Sequence, residues 1–144
     1  DCGIVAAVRW QAREFNQRTG IACVVACNCE EIMLDGDLAV AIFRIFQEAL
    51  TNIAKHAHAV EVQVKLSEAD NQVYLEVTDD GCGITRPDMN KVNSFGIRSM
   101  RERCQQLGGH FHIQKKKEAG TEVMIRIPVN GRVSSRDRLG GQEG

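Results

Sequence analysis

The polar side chains with the clearest potential for chemistry are Glu48, Asn52 and His56, which follow one another at intervals of four residues, with Lys55 beside them. On a helix this spacing places the three on one face, one turn apart. A carboxylate and an amide oxygen are hard ligands that can hold Mg²⁺ together with water, and a nearby lysine can neutralise phosphate charge. A solvent-exposed polar helix face gives the same pattern without any ligand. The motif alone leaves both interpretations open.

A second candidate is the segment Asp79-Asp80-Gly81-Cys82-Gly83-Ile84, which interrupts the alternating pattern before it. Its two glycines permit positive φ and let a ligand approach the main chain closely. An acidic side chain at a strand end can accept a hydrogen bond from an exocyclic amine. An ordinary turn has the same composition, so this motif also has two interpretations.

A third candidate runs from Ser94 to Met100, where a polar stretch gives way to a helical pattern. Backbone N–H groups at the start of a helix attract phosphate. A simple N-cap at Ser94 explains the same residues equally well.

Hydrophobic periodicity indicates the elements that carry these motifs. It predicts helices over residues 4–18, 38–56 and 96–107. It predicts strands over residues 21–27, 60–66, 73–78, 111–115 and 122–127, with a hairpin turn at 69–71. Strands with one apolar and one polar face are typical of an antiparallel sheet covered on one side. The element order therefore predicts an α+β fold, a two-layer sandwich of helices on a sheet.

The composition is ordinary, with 144 residues, 26% charged, 5% aromatic and a formal net charge of -1. No basic excess favours nucleic-acid binding, and no apolar run approaches the roughly 18 residues of a membrane span. The six cysteines lack a paired C-x-x-C spacing, so we interpret them as buried, reduced thiols rather than a zinc site. We predict a cytoplasmic location, without contact to nucleic acid or membrane.

In this order and spacing, the three motifs resemble the nucleotide-binding boxes of sensor histidine kinases in the GHKL ATPase superfamily. Residues 48–57 resemble the N box, Asp80-Gly81-Cys82-Gly83 the first glycine box, and residues 95–103 the second. Gly120-Thr121-Glu122-Val123 resembles the closing strand. The M-R-E-R and N-x-x-K-H-A motifs are similar to those of the histidine kinase branch that signals to response regulators with helix-turn-helix outputs. The resemblance implies the Bergerat-type ATP-binding fold, with a mixed, mostly antiparallel sheet.

The resemblance implies binding of ATP and Mg²⁺ and a role for each matching residue. Asn52 and Glu48 are implied as the metal site, and Glu48 also as the catalytic residue. Asp80 is implied as the acceptor for the adenine amine, with Thr121 supporting the adenine pocket through its hydroxyl. Further nucleotide contacts are implied for Lys55, His56, Gly81, Gly83, Ile84, Gly96 and Ile97. Gly96 is the implied hinge of a mobile lid over residues 85–95.

The second glycine box usually has glycine where this chain has Ser94 and Ser99. Serine keeps the backbone N–H, but its Cβ restricts positive φ. We therefore expect weaker phosphate binding or a different closure of the lid, and no effect on the fold.

None of the four histidines, which are His56, His58, His110 and His112, lies in the helical context expected of a phosphoacceptor. We therefore expect the acceptor histidine and the dimerisation helices on another segment, relay to a response regulator, and a monomeric state for this chain. The start within a helical pattern is interpreted as a fragment boundary. Residues 1–20 are predicted as the junction with the dimerisation helices, 21–129 as the ATP-binding catalytic domain, and 130–144 as a disordered tail.

Two other functions remain open. An anti-sigma-type serine kinase has the same boxes, although the M-R-E-R stretch and the N-terminal junction argue against it. An interaction module insensitive to nucleotide is favoured only by Ser94 and Ser99. A gyrase-like hydrolase would need further domains and a longer lid.

Overall fold

The computed structural model describes residues 2–56, 58–81 and 94–129. Its helices are α1 (Ile4–Thr19), α2 (Gly36–His56) and α3 (Ser94–Gln106). Its strands are β1 (Cys2–Gly3), β2 (Ala22–Cys27), β3 (Met33–Leu34), β4 (Glu61–Ala69), β5 (Gln72–Asp79), β6 (His110–Lys115) and β7 (Thr121–Pro128). The predicted α+β architecture is confirmed.

The main sheet has five strands in the order β2-β4-β5-β7-β6, in which only the β2–β4 pair is parallel. Its register stacks apolar residues across the three central strands, so that Val64 pairs with Val77 and Val77 with Val123. These residues are buried, whereas the alternate positions of the same strands are half-buried or exposed. One face of the sheet therefore belongs to the core.

The helices cover that face of the sheet with their apolar sides. Phe15 of α1 and Phe46 of α2 are fully buried in the same core cluster as the strand residues. Met100 and Cys104 of α3 complete it. Because α1 contributes to this core, it packs as part of one unit with residues 21–129, and the boundary after residue 20 stays a prediction.

The turn between β4 and β5 lies where the sequence predicts it. Asp70 and Asn71 have φ values of 54° and 61°. Two consecutive residues with positive φ form the tight turn that matches the twist of a hairpin, and aspartate and asparagine tolerate this conformation.

Several local features differ from the sequence predictions, beginning with α2, which starts at Gly36 rather than at residue 38. Helix α3 begins at Ser94, two residues before the predicted start. The two-residue strands β1 and β3 pair with each other and were not predicted, because such short segments have no periodicity. Cys29 is exposed rather than buried, whereas Cys104 follows the prediction and burial raises its pKa to about 11.

Helix α1 starts without a side-chain cap of its own, since its N-cap residue is Gly3. Glu31 supplies the cap from the loop before β3. Its carboxylate accepts hydrogen bonds from the backbone N–H groups of Val5 at 2.6 Å and Ala6 at 3.3 Å, and also from Ile32 at 3.1 Å. Desolvation opposes ionisation, but these three bonds outweigh it and lower the pKa of Glu31.

We expect Glu31→Gln to destabilise the fold by about 1 kcal/mol near neutral pH, the usual effect of losing a helix cap. A carboxylate whose pKa is lowered on folding stabilises the fold above its unfolded pKa, and this contribution disappears as the pH falls through the folded pKa. Urea unfolding at several pH values measures the effect. The difference between wild type and Glu31→Gln should be full above about pH 5 and should shrink at lower pH; a constant difference would contradict the capping role.

Within the part of the chain that the structure describes, no helix has the length and apolar composition needed to cross a lipid bilayer.

Candidate functional site

The second half of α2 and the first turn of α3 meet at Gly96. A side-chain Cβ placed at Gly96 would lie 2.6 Å from Oε2 of Glu48 and 3.2 Å from Oδ1 of Asn52. Glu48 and Asn52 are half-buried and lie one helical turn apart on α2. The Glu48 carboxylate and the Asn52 side-chain amide therefore converge on Gly96, with Oδ1 and Nδ2 of Asn52 at 3.2 and 3.3 Å from the Cβ position.

The chemistry of this cluster fits a hydrated magnesium ion and phosphate. Carboxylate and amide oxygens are the ligand type that Mg²⁺ takes alongside water. Gly96 lies in the first turn of α3, where backbone N–H groups have no partner within the helix and favour anions. The predicted grouping of Glu48, Asn52 and Gly96 is present in the structure, and their ligand remains a proposal.

The second cluster lies at the end of β5 and is built around Asp79, which is only 3% exposed. Its Oδ1 accepts a hydrogen bond of 2.8 Å from the backbone N–H of Gly81, which is also buried. The backbone N–H of Thr121 also donates to the Asp79 carboxylate. Burial raises the pKa of Asp79 despite these two donors. Asp79 is thus a desolvated carboxyl group held in a fixed orientation at the edge of the core.

The side chain of Asp80, which the motif suggested as the acceptor, makes different contacts from that of Asp79. It is exposed, and its Oδ1 accepts hydrogen bonds from the backbone N–H groups of Val60 at 2.8 Å and Glu61 at 3.1 Å. Hydrogen bonds from Glu61 and Val60 lower the pKa of Asp80. The carboxylate of Asp80 therefore holds the start of β4 in place, which makes Asp79 the better candidate for the acceptor.

A signal for Asp79 was present in the sequence. Val73, Leu75 and Val77 alternate with polar residues, and Asp79 continues the same parity at the end of the strand. Successive side chains on a strand point to opposite faces, so Asp79 must share the buried face of these apolar residues. Matching the glycine motif from Asp80 onwards ignored this alternation.

The turn before β7 brings Gly120 against the main chain of Asp79. Gly120 has a φ of +101°, and a Cβ there would overlap the carbonyl oxygen of Asp79 and lie 2.7 Å from its carbonyl carbon. The close approach places Thr121 next to Asp79, which explains the hydrogen bond from its N–H group. The structure thus places the backbone of Thr121 beside Asp79, and the role predicted for the Thr121 hydroxyl stays a prediction.

The remaining candidate residues have different surroundings. Lys55 is exposed at the end of α2, whereas Ile97 is 5% exposed and belongs to the core cluster. Ser99 lies in helical backbone without positive φ, so its Cβ causes no conformational strain there. The side chain of Ser94 lies outside the described residues. The predictions for the His56 side chain, Gly83, Ile84 and the lid segment up to residue 93 lie outside the described residues.

Comparison with protein families gives a match to the model described as histidine kinase-, DNA gyrase B- and HSP90-like ATPase, over residues 37–131. The chain is 31% identical over 129 residues to the oxygen sensor histidine kinase NreB of Staphylococcus carnosus, covering 90% of this chain and 37% of NreB. It is also 31% identical to the nitrate/nitrite sensor protein NarX of Escherichia coli K12, covering 85% of this chain and 20% of NarX. The chain thus spans less than half the length of these relatives.

Solved structures show the same fold. The histidine kinase domain of the Erythrobacter litoralis blue-light activated kinase EL346 aligns with a TM-score of 0.76 and 27% identity, over 90% of this chain and 63% of that domain. The mycobacterial sensor histidine kinase MprB aligns with a TM-score of 0.68 over 88% of this chain and 96% of that one, at 19% identity. The second likeness supports the fold alone.

Proposed function

Because the chain belongs to the histidine kinase-, DNA gyrase B- and HSP90-like ATPase family and its match to sensor histidine kinases confirms the resemblance seen in its motifs, we propose that it binds Mg-ATP and transfers the γ-phosphoryl group to a histidine on a separate dimerisation segment. A response regulator then receives the phosphoryl group. The observation that carries this proposal is the convergence of Glu48 and Asn52 on Gly96 at the start of α3.

Asp79 is proposed to recognise adenine. An exocyclic amine donates hydrogen bonds, and an ionised carboxylate accepts them. The N–H groups of Gly81 and Thr121 hold the Asp79 carboxylate in place before any base arrives. A buried acceptor with a fixed orientation discriminates well between bases, because a base lacking the donor leaves the carboxylate unpaired.

Asn52 and Glu48 are proposed to hold the metal and the phosphates. When bound, Mg²⁺ would neutralise charge on the phosphate oxygens. Asn52 contributes a neutral oxygen ligand, and the N–H groups of the first turn of α3 face the phosphate end. Glu48 is the nearest carboxylate to this point and is proposed to orient the acceptor and to take its proton. Lys55 and His56 follow on the same helix and are proposed to contact phosphate and ribose.

The positions of two histidines support an acceptor located elsewhere. His110 and His112 are exposed on β6, and the intervening Phe111 packs against the core. Alternation along the strand therefore places His110 and His112 on the sheet face opposite the helices. The proposed phosphate site between α2 and α3 lies on the other side of the sheet, so neither histidine can be reached within one molecule.

Incubation with γ-labelled ATP and Mg²⁺ tests the transfer step. This chain alone should acquire no label. Mixed with a dimerisation segment that carries the acceptor histidine, it should transfer label that is lost in acid and stable in base, as expected of a phosphorylated imidazole. Glu48→Gln should reduce labelling by about 100-fold, the usual effect of removing a proton acceptor. It should weaken ATP-analogue binding far less, because Asn52 and the new amide oxygen can still face the metal. Acid-stable label would support a serine kinase and contradict the proposal.

A further inference from the structure

A polar groove lies on the side of Glu48 formed by α1, α2 and α3. It has a volume of about 400 Å³. Its lining includes one arginine from each helix and three further polar residues, and these six are Gln11, Arg18, Arg44, Gln47, Glu48 and Arg103. Glu48 belongs to the proposed nucleotide site and Arg103 to the segment that resembles the second glycine box, whereas the other four residues lie outside these motifs.

A hydrogen-bonded chain of side chains joins α1 to α2 beside this groove. Gln11 is only 7% exposed, and its Oε1 accepts a hydrogen bond of 3.1 Å from Nε2 of Gln47. Nη1 of Arg44 donates to Oε1 of Gln47 at 3.4 Å, and Nε2 of Gln11 donates to Oε1 of Glu14 at 3.3 Å. Buried polar groups that are satisfied in this way hold a surface in one geometry. The groove is therefore a built feature of the helix interface.

The charges of the groove favour an anionic ligand. Arg18, Arg44 and Arg103 contribute three positive charges, and Glu48 contributes one negative charge. Glu14 already pairs with Arg18, through a contact of 3.4 Å to Nε. A guanidinium group has five N–H donors, so the bonds made by Arg18 and Arg44 to Glu14 and Gln47 leave most of their donors for a ligand. The net charge of -1 for the whole chain shows that this positive cluster is local.

The size and the mixed lining favour a peptide over a free inorganic anion. A volume of about 400 Å³ corresponds to roughly a dozen water molecules, so a single phosphate would leave most of the groove to solvent. A phosphate also presents only acceptors and negative charge, which Glu48 would repel. A peptide with acidic side chains presents carboxylates to the arginines and backbone N–H donors to Glu48.

We propose that this groove docks an acidic peptide segment of the partner that carries the acceptor histidine. The assignment of that partner rests on the proposed function, because Glu48 borders both the groove and the proposed phosphate site. Binding of an acidic peptide in the groove depends only on the arginines and the polar network, and not on the identity of the partner. Docking there would bring the acceptor segment alongside Glu48.

The test uses the ¹⁵N-labelled chain saturated with an ATP analogue and Mg²⁺, titrated at low salt with an acetylated and amidated octaglutamate peptide. We expect the side-chain amide signals of Gln11 and Gln47 to shift. The double variant Arg18→Glu/Arg44→Glu should bind the peptide at least tenfold more weakly, and Arg18→Gln/Arg44→Gln should show an intermediate loss. Arg13→Glu is the matched control, because Arg13 is exposed on α1 and does not line the groove. The affinity of this variant for the peptide should stay within twofold of the wild-type value.

Three outcomes would overturn the proposal. They are an absence of peptide binding, equal binding by wild type and both double variants, and stronger shifts of Gln11 and Gln47 with pyrophosphate than with the peptide. ATP-analogue affinity is measured separately on the same samples and should change less than threefold in the double variants. If the chain does not bind the ATP analogue and the peptide titration still behaves as expected, the nucleotide proposal fails and the groove stands.

Discussion

Asp79→Asn is expected to weaken binding of an ATP analogue by at least about 30-fold, or roughly 2 kcal/mol, because the amide presents N–H donors where the adenine amine needs an acceptor. At neutral pH the same substitution should change the stability of the fold only a little, because it removes a buried charge but leaves one acceptor oxygen instead of two for the N–H groups of Gly81 and Thr121. Burial raises the pKa of Asp79. A group whose pKa is raised on folding contributes stability below its unfolded pKa, and this contribution is lost as the pH rises through the folded pKa. At neutral pH the asparagine therefore removes an unfavourable buried charge.

Asp80→Asn is the matched control and should behave in the opposite way. Hydrogen bonds from the N–H groups of Glu61 and Val60 lower the pKa of Asp80, so its charge stabilises the fold above the unfolded pKa. Asp80 is exposed, so solvent screening limits the expected loss of stability to less than about 1 kcal/mol. Calorimetry measures the nucleotide affinity of both variants, and urea unfolding measures their free energy of unfolding. Nucleotide binding that is lost in Asp80→Asn and kept in Asp79→Asn would return the acceptor role to Asp80.

Gly120→Ala should be the most destabilising single substitution in the site, costing at least about 3 kcal/mol. Two effects add at this position. The φ of +101° is unfavourable for any residue with a side chain, and the new Cβ would overlap the carbonyl oxygen of Asp79. The obstacle is backbone rather than the flexible end of a side chain, so relief requires β5 and the β6–β7 turn to separate. Displacement of Asp79 should also weaken nucleotide binding.

Gly20→Ala separates the two effects. Gly20 has a φ of +78° and no atom within 4 Å of the position of a new Cβ. This variant should lose only the conformational preference of glycine, about 1 kcal/mol. Urea unfolding of both variants under the same conditions gives the comparison. Equal losses of stability in the two variants would show that the close approach of Gly120 to Asp79 does not add to the loss of unfolding free energy in Gly120→Ala.

The helices, the main strands and the apolar core could be predicted because each depends on local periodicity. The strands of the hairpin at Asp70 and Asn71 alternate cleanly, and the long apolar face of α2 is continuous from Ile42 to Ile53. The grouping of Glu48 with Asn52 follows from helical spacing alone. Their convergence on Gly96 could not be derived in this way, because it depends on how α3 packs against α2, some 50 residues further along the chain.

The two aspartates show how a motif and a periodicity can disagree. The resemblance to the glycine box suggests Asp80 as the acceptor, whereas strand alternation from Val73 to Asp79 places Asp79 on the buried face. Glu31 presents the opposite case. No local pattern predicts that it caps α1, since the hydrogen bond to Val5 joins residues 26 positions apart. Tertiary capping of this kind becomes visible only when the packing of the loop against the helix is known.

The most direct test of the central claim is calorimetric titration of the wild-type chain with a non-hydrolysable ATP analogue in the presence of Mg²⁺, repeated in EDTA and with Asn52→Ala. We expect one site with a dissociation constant on the order of 10–100 µM. EDTA should weaken binding of the ATP analogue at least about tenfold, and Asn52→Ala should remove most of this metal dependence. A folded wild-type chain that gives no binding heat at millimolar nucleotide would contradict the account and favour the nucleotide-insensitive interaction module.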